Sequence, residues 1–465
     1  MVKMKHKTLF VALFFPILLY AQTFEEWKKR AENGDIEAMH QMGRFYDIGD
    51  SVPLDYTMAV KWYRLAAEQG YPNSLNNLGL CYLRGHGVPV DTIQSMELLY
   101  QAAVQNLPNA MSILAGIFQS ENSSYASVDS CLYWQMKAAK LDYPIAQYMI
   151  SLYYEYGFGV EKDNEKSFCW AKKAAEAGIV QAQEKVAISY MNGVGVPQDY
   201  TMAVKWYQMA AEKGLPNSLN NLGICYLYGE GVPIDTIRAI ALLHQSAAQN
   251  LPNSMYVLAS IYQSEWSNFY SIDSCVYWQM KAANLNYPPA QYMISLYYEH
   301  GFGVEKDNEK SFCWAKKAAE AGIVQAQEKV TISYMSGIGV EENGTQMMYW
   351  LQQAIKNGSK NMLTYLGTCY QTGYYIQMDK YKAFEIFKQA AEFGDIWGQF
   401  ELGQCYRYGR GVAADKGQAL YWIQKAADSG WQSAIDALLE IGNGIDIKEL
   451  RQKNEVYKQW FNQNR

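Results

Sequence analysis

The chain has 465 residues, 49% of them apolar and 18% charged, and a formal charge of -6. That balance excludes a disordered or collagen-like chain and supplies enough apolar surface for a large core. The acidic charge argues against nucleic acid or an anionic membrane as partner, because phosphate recognition needs clustered Lys and Arg. Five His leave little room for a multi-His metal centre.

In chain order, Lys3, Lys5 and Lys7 precede an apolar run from Leu9 to Leu19. The run is too short for a bilayer span, which takes ~20 residues. A basic start, a short apolar stretch and the small Ala21 predict a secretory signal over residues 1–21, cleaved before Gln22. The mature chain is then expected to be exported, periplasmic or secreted, with a charge of about -9 once the three Lys are removed.

From Gly34 a period of 36 residues governs the chain. Gly34, Gly70, Gly178, Gly214, Gly322, Gly358, Gly394 and Gly430 stand on its rungs, and Asn106, Asp142, Asn250 and Asn286 fill the rest. Eleven complete units follow one another without an insertion. Each unit predicts two helices. Pro comes just after the rung at Pro72, Pro108, Pro144, Pro216, Pro252 and Pro288, the pairing of a left-handed helix end with a Pro at the next start. Helix A carries apolar or small residues at helical spacing, as in Ser74, Leu78, Cys81 and Tyr82. A Gly-x-Gly-Val turn follows (Gly85, Gly87, Val88), then an Asp such as Asp55, Asp91, Asp163, Asp199, Asp235, Asp379 or Asp415, placed to cap helix B. Helix B reads Ala-x-x-Trp-x-x-x-Ala-Ala, as in Ala203, Trp206, Ala210 and Ala211. Small beside large residues let helices approach and interlock. No unit can bury its apolar face alone; stacking does so.

A longer period lies over the short one. Residues 51–194 recur as 195–338 with roughly three positions in four identical, a block duplication of four units. At the ends, residues 25–34 form a lone helix B, and residues 443–465 predict an amphipathic capping helix with Leu450, Val456, Trp460 and Phe461.

These residues resemble Sel1-like repeats, cousins of tetratricopeptide repeats. The resemblance rests on Leu-Gly-x-x-Tyr, Gly-x-Gly-Val, the following Asp and Trp-x-x-x-Ala-Ala-x-x-Gly, and covers about residues 24 to 442. It implies an all-α, right-handed α/α solenoid of about eleven helix pairs over residues 22–442, with helical caps. It also implies a non-enzymatic scaffold or adaptor for a protein or peptide partner, without cofactor or metal. Some cysteine-rich relatives carry a claim of β-lactam binding or hydrolysis, but no Ser-x-x-Lys stands here in a recognisable context. A lumenal quality-control adaptor is a further alternative, permitted by the sequons at Asn122, Asn343 and Asn357.

Metalloprotease, hydrolase-elbow, phosphate-loop and Cys-x-x-Cys motifs are missing. Eight Cys in an exported chain invite a disulfide framework. Within every unit, however, only one of the two helices carries Cys, and each duplicated block holds three. Any bridge would have to join adjacent units, and mostly buried free thiols acting as small hydrophobes are expected.

In stacked helix pairs helix A usually lines the concave side. Opposite the core sites Leu78, Cys81 and Tyr82, the helical wheel places Asn76, Leu80 and Leu83. The same rows elsewhere give His40, Tyr148, Asn220, Tyr256, Tyr292 and Phe400, then Leu152, Ile224, Leu296 and Thr368. This row reads as light in charge and rich in Tyr and Asn, a composition suited to peptide recognition. A second candidate lies where the units starting at 106 and 250 lose the Gly-x-Gly-Val turn: Trp266, Phe269 and Tyr270 would form an exposed contact patch.

Overall fold

The computed structural model describes residues 23–120, 124–264 and 268–441. The expected signal segment, the expected capping helix and Trp266 lie outside the described residues. The chain divides after Thr236 into two compact units. The first holds α1 (Phe24–Glu32), α2 (Ile36–Ile48), α3 (Tyr56–Glu68), α4 (Pro72–Arg84), α5 (Thr92–Val104), α6 (Pro108–Gln119), α7 (Val128–Lys140), α8 (Pro144–Tyr156), α9 (Asn164–Glu176), α10 (Val180–Asn192), α11 (Tyr200–Glu212) and α12 (Pro216–Tyr228). The second holds α13 (Thr236–Ala247), α14 (Pro252–Gln263), α15 (Ile272–Asn284), α16 (Pro288–His300), α17 (Asn308–Glu320), α18 (Val324–Ser336), α19 (Gly344–Lys356), α20 (Asn361–Thr372), α21 (Lys380–Glu392), α22 (Ile396–Tyr408), α23 (Lys416–Asp428) and α24 (Gln432–Ile441). Among the described residues there are 24 helices and no strand. From α1 to α12 and from α14 to α24 each helix packs on the next in chain order, the helix-pair stacking of an α/α solenoid. Even-numbered helices are the expected A helices and odd-numbered ones the B helices; α1 is the lone helix B.

Local signals build each pair. The rung residue is left-handed whether or not it is Gly: φ is 77° at Gly70, 62° at Asn106, 55° at Asp142 and 59° at Asn286. Asn and Asp tolerate that conformation best among residues with a side chain. Pro then opens α4, α6, α8, α12, α14 and α16, where the first turn needs no N–H from it. Asp55, Asp91, Asp163, Asp199, Asp379 and Asp415 each accept a backbone N–H three residues on, capping their B helices. In the two units without the Gly-x-Gly-Val turn, Ser127 and Ser271 do the same work.

The Leu-Gly-x-x-Tyr motif has two jobs. Its Gly admits helix B: a β-carbon on Gly79 would stand 2.9 Å from Leu99 Cγ, and one on Gly403 would stand 2.5 Å from Ile423 Cγ1. Its Tyr carbonyl accepts the N–H of the capping Asp, as Tyr82 does from Asp91 at 3.0 Å. The second Gly of the turn docks on the preceding helix B. A β-carbon on Gly87 would lie 2.3 Å from the Tyr56 carbonyl oxygen, so no larger residue fits without moving backbone. The core is the layer between A and B helices, where Ala102, Ala103, Ala138 and Ala139 are fully buried in one cluster with Leu99, Leu114 and Ile150.

Candidate functional site

Two polar clefts lie between neighbouring A helices, one in each unit. In the first, Tyr148, Leu152 and Glu155 of α8 face Glu184, Lys185 and Ile188 of α10, and Asn164 and Ser167 of α9 close it. Its volume is about 410 Å³. The second, of about 270 Å³, is built the same way from α16, α17 and α18. Each of its lining residues stands 144 positions after one lining the first. At the shared positions Asn192 (Ser336 in the second) and Val194 (Ile338) change type, and Tyr156, which lines the first cleft alone, has His300 as its counterpart.

The electrostatics are set by three side chains. Lys185 donates from Nζ to Glu155 Oε2, and Lys329 to Glu299 Oε2 at 2.5 Å. The Lys side chains are only 15% exposed. The pair is therefore partly withdrawn from water, where charge-assisted bonds are stronger. The remaining carboxylate differs between the clefts. Glu328 accepts from Ser359 Oγ at 2.5 Å. At the position 144 residues earlier stands Leu215, which offers no donor to Glu184. Partial burial pushes the Glu184 carboxyl up from its ordinary pKa. Burial, then Glu184 and Glu155, raises the pKa of the Tyr148 phenol; burial, then Glu299 and Glu328, does so for Tyr292. Two of the lining hydroxyls are engaged by backbone: Ser167 Oγ donates to the Ser151 carbonyl at 2.7 Å, and Ser311 to that of Ser295. The arrangement is suited to holding a polar group.

The sequence candidates fall in several places. Tyr148 and Tyr292 line the clefts. Asn76 and Asn220 lie on the same row but are buried, each donating to the neighbouring Asn side chain at 3.0 Å. Tyr256 is half-buried with its ring edge-on to Tyr287. Phe400 packs, half-buried, on the core of Ile423 and Ile435. Phe269 is half-buried and Tyr270 is exposed. The reading of the row as light in charge needs correction. One unit after Tyr148 the same register holds Glu184, and one unit after Tyr292 it holds Glu328. The 36-residue period itself carried that signal. Glu155 and Lys185 gave none, since their bond joins helices 30 residues apart.

Near the first departing turn, an apolar groove of about 360 Å³ opens between Met96, Tyr100, Leu114, Phe118 and Trp134. In the second block Tyr100 and Phe118 are replaced by His244 and Tyr262, joined by a 3.2 Å hydrogen bond. Among the described residues no group of His, Cys, Asp and Glu is arranged to hold a metal ion. No described helix is long and apolar enough to cross a membrane.

The family pattern described as "Sel1 repeat" matches residues 36–71, 72–106, 144–179, 180–215, 216–251, 288–323, 325–359, 362–395 and 398–431. The two units it passes over are those that lost the Gly-x-Gly-Val turn, and their helices α6, α7, α14 and α15 are formed all the same. Among solved structures, the chain is similar to c5321, a protective antigen present in uropathogenic Escherichia coli strains and displaying an SLR fold. The two are 28% identical, with 95% of this chain and 94% of that chain covered and a TM-score of 0.70. It is also similar to a Sel1 repeat protein from Oxalobacter formigenes, at 27% identity, 70% and 93% coverage, and a TM-score of 0.51. No curated protein sequence matches the chain.

Proposed function

The chain belongs to the Sel1 repeat family, and from that premise we propose that it is an exported adaptor that holds a protein or peptide partner along its A helices. Repeat arrays of this kind typically serve as protein-interaction scaffolds, because stacking leaves one long rigid surface that need not reorganise on binding. The observation that carries the reading is the pair of clefts, alike in almost every lining residue and shaped by facing A helices. The export part of the proposal is supported by the basic, short-apolar, small-residue pattern of residues 1–21. The family fold is generally non-catalytic, and the engagement of Ser167 and Ser311 with backbone carbonyls agrees with that. The lumenal alternative is less well supported: Asn357, one of its sequons, donates from Nδ2 to Gln327 at 3.1 Å.

The test is site-specific photocrosslinking in the native compartment. A benzophenone amino acid is placed at Ile188, at Ile332, or at Tyr381 as a control; these are 40%, 39% and 74% exposed. The first two line the clefts. The expected result is one discrete adduct from Ile188 and Ile332 and none from Tyr381. Equal labelling from all three, or none from the cleft positions, overturns the proposal.

A further inference from the structure

Each cleft carries one more carboxylate than it has amines. In the first, Lys185 is committed to Glu155, which leaves Glu184 in the same cleft as Tyr148. A half-buried anion in a cleft that also holds an aromatic side chain and aliphatic ones is complementary to a cation carried on an apolar stem. An anionic ligand meets the reverse: it would have to displace Glu155 from Lys185 and then lie beside Glu184. We propose that the two clefts are sockets for a cationic side chain, arginine above all, presented by the partner segment, with Glu184 and Glu328 as counter-ions and Tyr148 and Tyr292 as stacking faces. The assignment rests on the adaptor reading and names the chemistry that reading leaves open.

Arginine is favoured over lysine by shape. A planar guanidinium stacks on a phenol ring while forking onto both oxygens of a carboxylate; an ammonium does one or the other. The sockets are not equal. Glu328 already accepts from Ser359 Oγ, whereas Leu215 leaves both oxygens of Glu184 for the ligand. The first socket is therefore the tighter one. The burial that raises the Glu184 pKa acts in the same direction, since a bound cation compensates a charge that water solvates poorly.

The experiment titrates the full chain, with ring-labelled tyrosine, against N-acetyl-argininamide, N-acetyl-lysinamide, the neutral isostere N-acetyl-citrullinamide and N-acetyl-glutamate. Tyr148→Phe and Tyr292→Phe assign the two signals. Argininamide is expected to shift both, Tyr148 at the lower concentration, with citrullinamide about tenfold weaker and lysinamide between them. Glu184→Gln is expected to abolish the preference at Tyr148 and leave Tyr292 unchanged, so the second socket serves as the folding control within the same chain. Leu215→Ser is expected to bring the first socket to the affinity of the second. Binding of citrullinamide as tight as argininamide, tighter binding of N-acetyl-glutamate, or no response to either cation overturns the proposal. The two readings fail separately. Cation binding without a crosslinked partner sinks the adaptor. A crosslinked partner that survives Glu184→Gln with Glu328→Gln sinks the sockets.

Discussion

Gly79 of α4 faces Leu99 of α5 so closely that a β-carbon at Gly79 would stand 2.9 Å from Leu99 Cγ and 3.3 Å from the Ser95 carbonyl oxygen. Leu99 is itself fully buried, so the clash cannot be relieved outward. Gly79→Ala is expected to destabilise the chain by about 1–3 kcal/mol. Gly116 of α6 has no atom within 4 Å of the same imaginary carbon. Gly116→Ala is expected to stabilise by about 0.5–1 kcal/mol, through lost freedom of the unfolded chain. Unfolding midpoints in urea, read side by side, check the opposite signs.

His40 is buried, with Nδ1 2.9 Å from Ser74 Oγ. Burial, assisted by Arg44, lowers its pKa from 6.5 to about 4. The folded state thus excludes a proton that the unfolded state accepts below about 6.5. Stability is fully present above that pH and declines down to about 4, by up to about 3 kcal/mol from this residue. His40→Gln is expected to flatten that part of the pH dependence of the unfolding midpoint. An unchanged slope would show that other groups produce it.

Six cysteines, Cys81, Cys131, Cys225, Cys275, Cys369 and Cys405, are buried, while Cys169 and Cys313 are exposed. Burial pushes the thiols of Cys81, Cys225 and Cys405 up to about 12. Cys131 and Cys275 also lie within 3.3 and 3.2 Å of the Tyr153 and Tyr297 hydroxyls. Alkylation followed by mass spectrometry is expected to modify Cys169 and Cys313 at least tenfold faster than the rest, since the thiolate is the nucleophile.

Asp199 accepts the N–H of Met202 at 2.9 Å and starts α11. Asp199→Ala is expected to cost about 1 kcal/mol. Hydrogen exchange is expected to accelerate first at the amides of the first turn of α11.

The legible part of this protein is its local grammar. Left-handed rungs, Pro starts and Asp caps each act within a few residues, so reading them in order yields the helix pairs. The units starting at 106 and 250 lost the turn motif yet kept both helices, because Ser127 and Ser271 replace the capping Asp. The site was legible only in part. Tyr148 and Tyr292 were found from the wheel, but Glu155 and Lys185 meet across helices, and no single-helix pattern pairs them. Asn76 shares the row of Tyr148 yet is buried, since what covers a row depends on neighbouring helices and not on its own wheel.

The left-handed residue closing each rung also fixes the currency in which such a chain can grow. Splicing at any rung rejoins like to like, provided the inserted length is a whole number of repeats, as the 144-residue block is. An insertion of any other length would break the equal spacing of the rungs. The array is thus extensible in fixed strides, and lengthening it copies a finished cleft instead of having to invent one.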